Sequence, residues 1–338
     1  MNVVNVLNAI RTNASEEYQS RIPAATKENF NTISQQINSY KVLQNEFINV
    51  LCNKIGATYV HNKLLNNPLS ILKTGAMPLG LTKEEIYTNV AKDMGKSDGT
   101  KLLQKEIGQT AVAYHNMNRE STYKVSISNI ELKRAFTSMQ SLGDFIQSKL
   151  NSLYSGDYYD EFILMKKVIS SAYNDGKILS VHCPEITNDI QTSRQFIKNV
   201  KNVSKNFQLP TTLYNGYNLK NKDANFVTWV NSPNDKVLIA RTDITTSLDV
   251  DVLANAMNMS KADLTERTIE IDAFPNADNL QAILCDKALF QFYDNELSFE
   301  NFRNPDGRFT TFYLNHFETL SISPFANAVA FTSDEVSA

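Results

Sequence analysis

The apolar residues of this chain follow a helical period in some stretches and an extended period in others, and the changes of period mark its segments. Residues 1–30 are polar, with Pro23 and several Asn, and predict an extended arm holding one short helix near residues 3–10. Over about 39–53, Leu43, Phe47, Ile48 and Leu51 recur at helical spacing, and Gly56 supplies a stop. Residues 57–128 differ. Short extended pieces (ATYVHNKLL, SILKTGAMPLGL, STYKVSISNI) are broken by Pro68, Gly75, Pro78 and Gly80, around a charged middle whose only amphipathic stretch is 86–90. This segment has too few apolar positions for a core of its own, and a two-stranded ribbon alone in water is marginal. It needs a surface to lie on, in the same subunit or another.

The clearest helical pattern spans 142–173. Leu142, Phe145, Ile146, Leu150, Leu153 and Tyr154 fall on one face; Phe162, Met165, Val168, Ile169, Ala172 and Tyr173 continue it after Gly156. At 1.5 Å per residue this is a rod of about 45 Å, bent near Gly156 and ended by Asn174, Asp175 and Gly176. Residues 189–206 predict another helix, which Pro210 stops. FVTWV (226–230) and KVLIA (236–240) read as a hairpin across Asn-Ser-Pro-Asn-Asp. A helix at about 249–258, a strand at 268–272 and a strand–turn–strand over 280–294 follow. Two β-branched and aromatic runs, 308–323 and 324–333, close the pattern. Helices and strands do not alternate regularly, so the fold class is α+β.

Composition narrows this picture. Of 338 residues, 42% are hydrophobic and 20% charged, which is globular rather than disordered. A net charge of −3 and the lack of a visible basic stripe argue against a chain that grips nucleic acid. Cys52, Cys183 and Cys285 are odd in number and widely spaced, so reduced thiols are expected. The polar start does not have the form of a signal peptide, and no apolar run is long enough for a membrane span, so a soluble protein made in the cytoplasm is expected.

Catalytic patterns are missing. The four histidines (61, 115, 182, 316) form no HExxH or other paired ligand spacing, and phosphate-binding and nucleophile-elbow motifs are absent. His182 adjoins Cys183, but neighbours on a strand point to opposite faces, which leaves a buried thiol beside a surface histidine. An enzyme would need a convergent pair such as Cys183 with His115 or His316. The acidic groups Asp157, Asp160, Glu161 and Asp249, Asp251 stand where helix caps are expected, and capping outweighs metal binding there. Trp229, beside Phe226, is expected in the core. Neither a metal nor any other cofactor is called for.

Five blocks carry a resemblance that runs nearly end to end. They are VLNAIR (6–11), NNPLSILKTGAMPLGLTKEEIYTNVAKD (66–93), SLDVDVLANAMNMS (247–260), LQAILCDKALFQFYDN (280–295) and NPDGRFTTFYLNHFETLSISPFANAVAF (304–331). In this order they resemble the major head proteins of the phi-29-like podoviruses of Gram-positive bacteria; their specificity lies in length and order. The resemblance implies the Hong Kong 97-type tailed-phage capsid fold. Residues 1–56 would be an N-arm, 57–128 an E-loop lying over the adjacent subunit, 129–178 a peripheral domain with its spine helix, 179–288 an axial domain, and 289–338 peripheral strands with the C-terminus. The helix face of Leu142, Phe145, Ile146, Leu150, Leu153, Phe162 and Met165 is then the spine. The assembly contacts fall to Ile71, Leu72, Gly75, Met77, Pro78, Leu79, Gly80, Leu81 and Ile86, with the two glycines and Pro78 serving either as bending points or as a plain turn.

The same resemblance implies a structural subunit rather than an enzyme. It would assemble with itself into hexamers and pentamers of an icosahedral or prolate head, around a portal at one vertex and double-stranded DNA held non-specifically. Bacillus members carry an immunoglobulin-like domain after AVAF, so a chain ending at Ala338 is expected to be the bare shell fold, built with a separate scaffolding protein and no large cleaved segment. Another virion protein, such as a decoration or scaffold, fits the axial blocks poorly. Some members of the wider fold lock the shell by a Lys–Asn isopeptide bond. Lys73, Lys92, Asn301 and Asn304 supply the residue types without a spacing that identifies a pair, and no cross-link is expected.

Overall fold

The computed structural model describes residues 3–47, 50, 67–93, 95, 105–128, 130–131, 139–186, 190–248 and 267–334. Ile48, Leu51, the piece at 57–65 and the helix expected at 249–258 lie outside these residues. The chain forms two compact units, the first from Met1–Asn67, Glu120–Asp160 and Glu296–Phe317, the second from Pro68–Arg119, Glu161–Asn295 and Glu318–Ala338.

In the first unit the N-terminal segment corrects the expectation of an extended arm. Helices α1 (Val3–Asn13), α2 (Glu16–Arg21) and α3 (Phe30–Ser39) follow one another, and residues 41–47 are helical as well. Ser15 caps α2 by accepting from Tyr18 N at 3.2 Å. Asn8 clamps the return of the chain, accepting from Ala25 N and donating to Ala25 O. Leu7, Ile10, Tyr18, Phe30, Ile33, Ile37 and Phe47 are buried together with Leu153, Tyr154, Phe312 and Leu314. The polar composition hid this core, because one apolar residue every third or fourth position is enough for a helix packed on one side.

Helix α4, Met139–Asn174, confirms the rod. Leu153 and Met165 are buried, Leu150 and Phe162 half-buried, and the side chains of Leu142, Phe145 and Ile146 lie outside the description. The Tyr123 ring lies over Gly156, where a Cβ would make an ordinary contact at 3.4 Å. Gly176 ends the helix as expected, at φ +66, with Gly176 N donating to Tyr173 O and Lys177 N to Ala172 O.

Eleven strands are described: β1 (Lys73–Ala76), β2 (Lys83–Thr88), β3 (Thr110–His115), β4 (Arg119–Ser128), β5 (Leu179–His182), β6 (Lys236–Arg241), β7 (Thr268–Ile271), β8 (Leu280–Asp286), β9 (Phe290–Asn304), β10 (Phe309–Ile322) and β11 (Ala328–Thr332). They form sheets of order β1-β9-β10-β4 and β5-β11-β8-β6-β7, plus the two-stranded β2-β3. In the second unit the five-stranded sheet is covered on both faces. Val237, Ile239, Ile283, Cys285, Ala328 and Ala330 meet Met165, Ile169 and Ala172 of α4. The alternate residues Leu238, Ala240, Ala282, Leu284, Val329 and Phe331 meet Phe196, Val200 and Val203 of helix α5 (Ile190–Asn206).

This layering overturns the hairpin expected across 226–240. After Lys236 the run VLIA is wholly apolar, and such a run suits a strand buried on both faces; β6 accordingly sits between β8 and β7. The backbone N–H groups of Phe226 and Val227 donate to the side chains of Asn218 and Asn89 instead, and Thr228 forms a backbone bridge with Thr211. Trp229 is 42% exposed, not core. Across the boundary expected at 288/289, β11 joins the sheet built from 179–286.

Candidate functional site

Within the second unit β2 and β3 pair as a ribbon, and the chemistry at its two stems, residues 73–77 and 118–119, is the most concentrated among the described residues. On the outward stem Lys73 Nζ lies 2.5 Å from Asp294 and 2.7 Å from Glu318, and it also pairs with Glu161. On the return stem Arg119 pairs with the other oxygen of Glu318. One fully buried carboxylate thus clasps both stems. Burial opposes the charge on Lys73, but Glu318, Glu161 and Asp294 outweigh it and hold the ammonium well above the usual lysine range. Backbone bonds finish the anchorage: Met77 N donates to Asp294 O, Asn118 N to Glu318 O, and the Asn118 side chain bridges Leu320 through its O and N.

Beyond the stems, β2 and β3 pair antiparallel with Glu85 opposite Ala113, Ile86 opposite Val112 and Tyr87 opposite Ala111. Successive side chains therefore point to opposite faces. The inner face docks on its own chain. Tyr87 stacks on Phe325 at 5.5 Å between ring centroids, with Phe226 and Tyr217 completing an aromatic cluster, and Tyr87 OH donates to Val227 O. His115 sits between Glu85 (3.0 Å) and Ser321 (2.6 Å), and Ser323 donates to Glu85. The outer face has no such cover: Ile86 is 59% exposed and Tyr114 63%, with Val112 between them.

The expected contact residues divide accordingly. Ile71, Pro78, Leu79, Leu81 and Ile86 are exposed. Leu72 and Met77 are buried within the subunit, Leu72 packing with Leu69, Met165 and Ile169. Gly75 and Gly80 take positive φ (+152 and +80) with open space around them. β4, at the end of the 57–128 segment, is a member of the four-stranded sheet. Val112 and Tyr114 were missed; the alternation in TAVAYH is the signal that could have found them.

The acidic residues of α4 are not caps, which corrects that expectation. Asp157 and Glu161 lie in mid-helix and are buried; Asp157 bonds His316 Nδ1 at 2.8 Å, and Asp160 accepts from Tyr123. Asp249 and Asp251 lie outside the described residues. Cys183 is buried and His182 exposed, as expected from their adjacency. Burial pushes the Cys183 thiol up, although Asn199 donates to its sulfur. Such a thiol is a poor nucleophile, and the imidazoles of His115 and His316 are engaged by carboxylates elsewhere.

Helix α5 adds something the sequence did not make visible. Arg194, Lys198, Lys201 and Lys205 are all exposed and share one face of the helix. Interleaved Gln, Asn and apolar residues disguise the row in the linear sequence, and a 100° helical projection of 190–206 brings it out.

The family described as "Phi29-like phage major capsid protein" matches residues 7–332. The chain is 32% identical over 337 residues to the "Major capsid protein" of Bacillus phage PZA, covering 99% of this chain and 74% of that protein. To the protein of the same name from Streptococcus phage Cp-1 it is 28% identical, covering 96% and 92%. Among solved structures it is similar to a chain of "Capsid structure of Staphylococcus phage Andhra", with a TM-score of 0.63, 15% identity and coverage of 80% and 85%. A chain of a native bacteriophage P68 structure gives a TM-score of 0.61, 13% identity and the same coverage. At these identities the two structures speak for the fold.

Proposed function

Since the chain belongs to the Phi29-like phage major capsid protein family, we propose that its exposed ribbon is the strap by which one subunit holds the next in a closed shell. The chain is a phage structural subunit with the Hong Kong 97-type capsid fold, and not an enzyme. In our reading it forms hexamers and pentamers of an icosahedral or prolate head enclosing double-stranded DNA, with a portal at one vertex and a separate scaffolding protein during assembly. Residues 77–118 take the part of the E-loop, α4 that of the spine helix, the five-stranded sheet that of the axial domain, and the N-terminal helices that of the N-arm.

The observation that carries this reading is the asymmetry of the ribbon. Its inner face and stems are fixed to the second unit, while Ile86, Val112 and Tyr114 face outward with Leu79 and Leu81 exposed nearby. A rigid apolar surface held by its own subunit is ready for a partner, because little ordering cost remains on docking. Covering ~600 Å2 of apolar area at ~25 cal/mol per Å2 gives ~15 kcal/mol gross per strap. Contacts made on several sides at once then multiply, so each can be weak. The test is to express the full chain alone and together with its candidate scaffolding protein and image the products by electron microscopy. Closed shells are expected with the scaffold; a chain that stays monomeric with every helper would overturn the proposal.

A further inference from the structure

Arg194, Lys198, Lys201 and Lys205 are spaced by four, three and four residues along α5. At 100° and 1.5 Å per residue they fall within an arc of about 60° and over a length of about 16 Å. The buried Phe196, Val200 and Val203 fix this helix to the five-stranded sheet, so the row is rigid and faces solvent. Residues 190–206 contain no Asp or Glu, and among the described residues no carboxylate pairs with any of the four. Neighbouring cations at i,i+3 and i,i+4 repel, so the row costs the isolated helix stability. Among the described residues the row is uncompensated, and an anion is its fitting partner.

We propose that this row is a contact for the phosphate backbone of double-stranded DNA, resting on the reading that the shell encloses it. A polyanion with closely and evenly spaced charges suits a straight row of cations. The exposed amides of Gln195 and Asn202 flank the row as neutral donors of the kind that bond phosphate oxygens. No aromatic or aliphatic side chain lies within the row. A protein partner would need an apolar centre with charges at its rim, and base recognition by stacking would need aromatic rings. The contact therefore neutralises charge without reading sequence.

The test uses the purified full chain and a short fluorescent DNA duplex, with anisotropy measured from 20 to 200 mM salt. Wild type is expected to bind with a slope of log affinity against log salt of about −3 to −4, near −0.9 per phosphate neutralised. Arg194→Gln/Lys198→Gln/Lys201→Gln/Lys205→Gln is expected to lose at least tenfold in affinity at low salt. Lys177→Gln/Lys220→Gln/Lys222→Gln, which alters exposed lysines elsewhere, is expected to keep it. Should the fourfold variant fold poorly by circular dichroism, Lys201→Gln alone is expected to reduce the slope by about one. Absence of wild-type binding at low salt, or equal binding by the variants, overturns the proposal. So does a fourfold variant that binds duplex normally but no longer forms shells, which would assign the row to a protein contact. Shell formation by wild type is scored separately by microscopy, so failure of the shell reading is distinguishable from failure of this contact.

Discussion

Lys236 shows how a single buried charge makes stability depend on pH. Its ammonium is buried and donates to Ser204 O and Oγ, and burial pulls its pKa from 10.5 to about 8. Below pH 8 the lysine is charged in both states, and the folded state bears the cost of burying the charge. Between about pH 8 and 10.5 the unfolded chain still binds the proton that the folded chain has released, so stability rises with pH. Thermal melts across this window should show the rise, and Lys236→Met should flatten it. At Lys73 the sign of the environment is opposite. Lys73→Met leaves Glu161 and Glu318 buried with less counter-charge and should cost about 3–5 kcal/mol in urea unfolding. Neither role was legible in the sequence. Lys73 stood out only as a common residue inside a loop-like segment, and its three carboxylate partners come from positions 88 to 245 residues away. Asp157 and Glu161 were misjudged for the same reason: a carboxylate after a glycine resembles a cap until the helix is seen to run on through it.

Elements were legible wherever a period persisted. The rod of α4, the helix at 190–206 and the strands of the last third stand where the pattern placed them. The Gly176 stop can be tested directly. Gly176→Ala has open space for its Cβ, so the strained left-handed backbone alone should cost about 1 kcal/mol. The failures came where pairing depends on distant strands. KVLIA found its partners at 268–271 and 280–286, which no local turn signal could announce. The ribbon gives the sharpest contrast between folding and assembly. Ile86→Lys with Val112→Glu sets opposite charges across one exposed pair and should shift monomer stability by less than about 1 kcal/mol. The same double variant should abolish shells under the electron microscope. A large loss of monomer stability would mean that the outer face is packed within the subunit.

For the molecule as a whole, family and fold were legible in blocks of sequence, whereas the solid N-terminal core and the limits of the ribbon were not. Assembly offers a check on the latter. Lys92 and Lys105 are exposed, so trypsin should cut after both in the free subunit and much more slowly in shells. The clasp at Glu318 carries a mechanical consequence. Because both legs of the ribbon end on one interior carboxylate, the ribbon acts as a strut bolted at its base, and a pull on its far end is handed to β10 instead of being taken up by a hinge. Dissolved salt screens charges on the surface but hardly reaches such a joint. A container strained from within by its contents would keep its fastenings in brine as well as in dilute buffer.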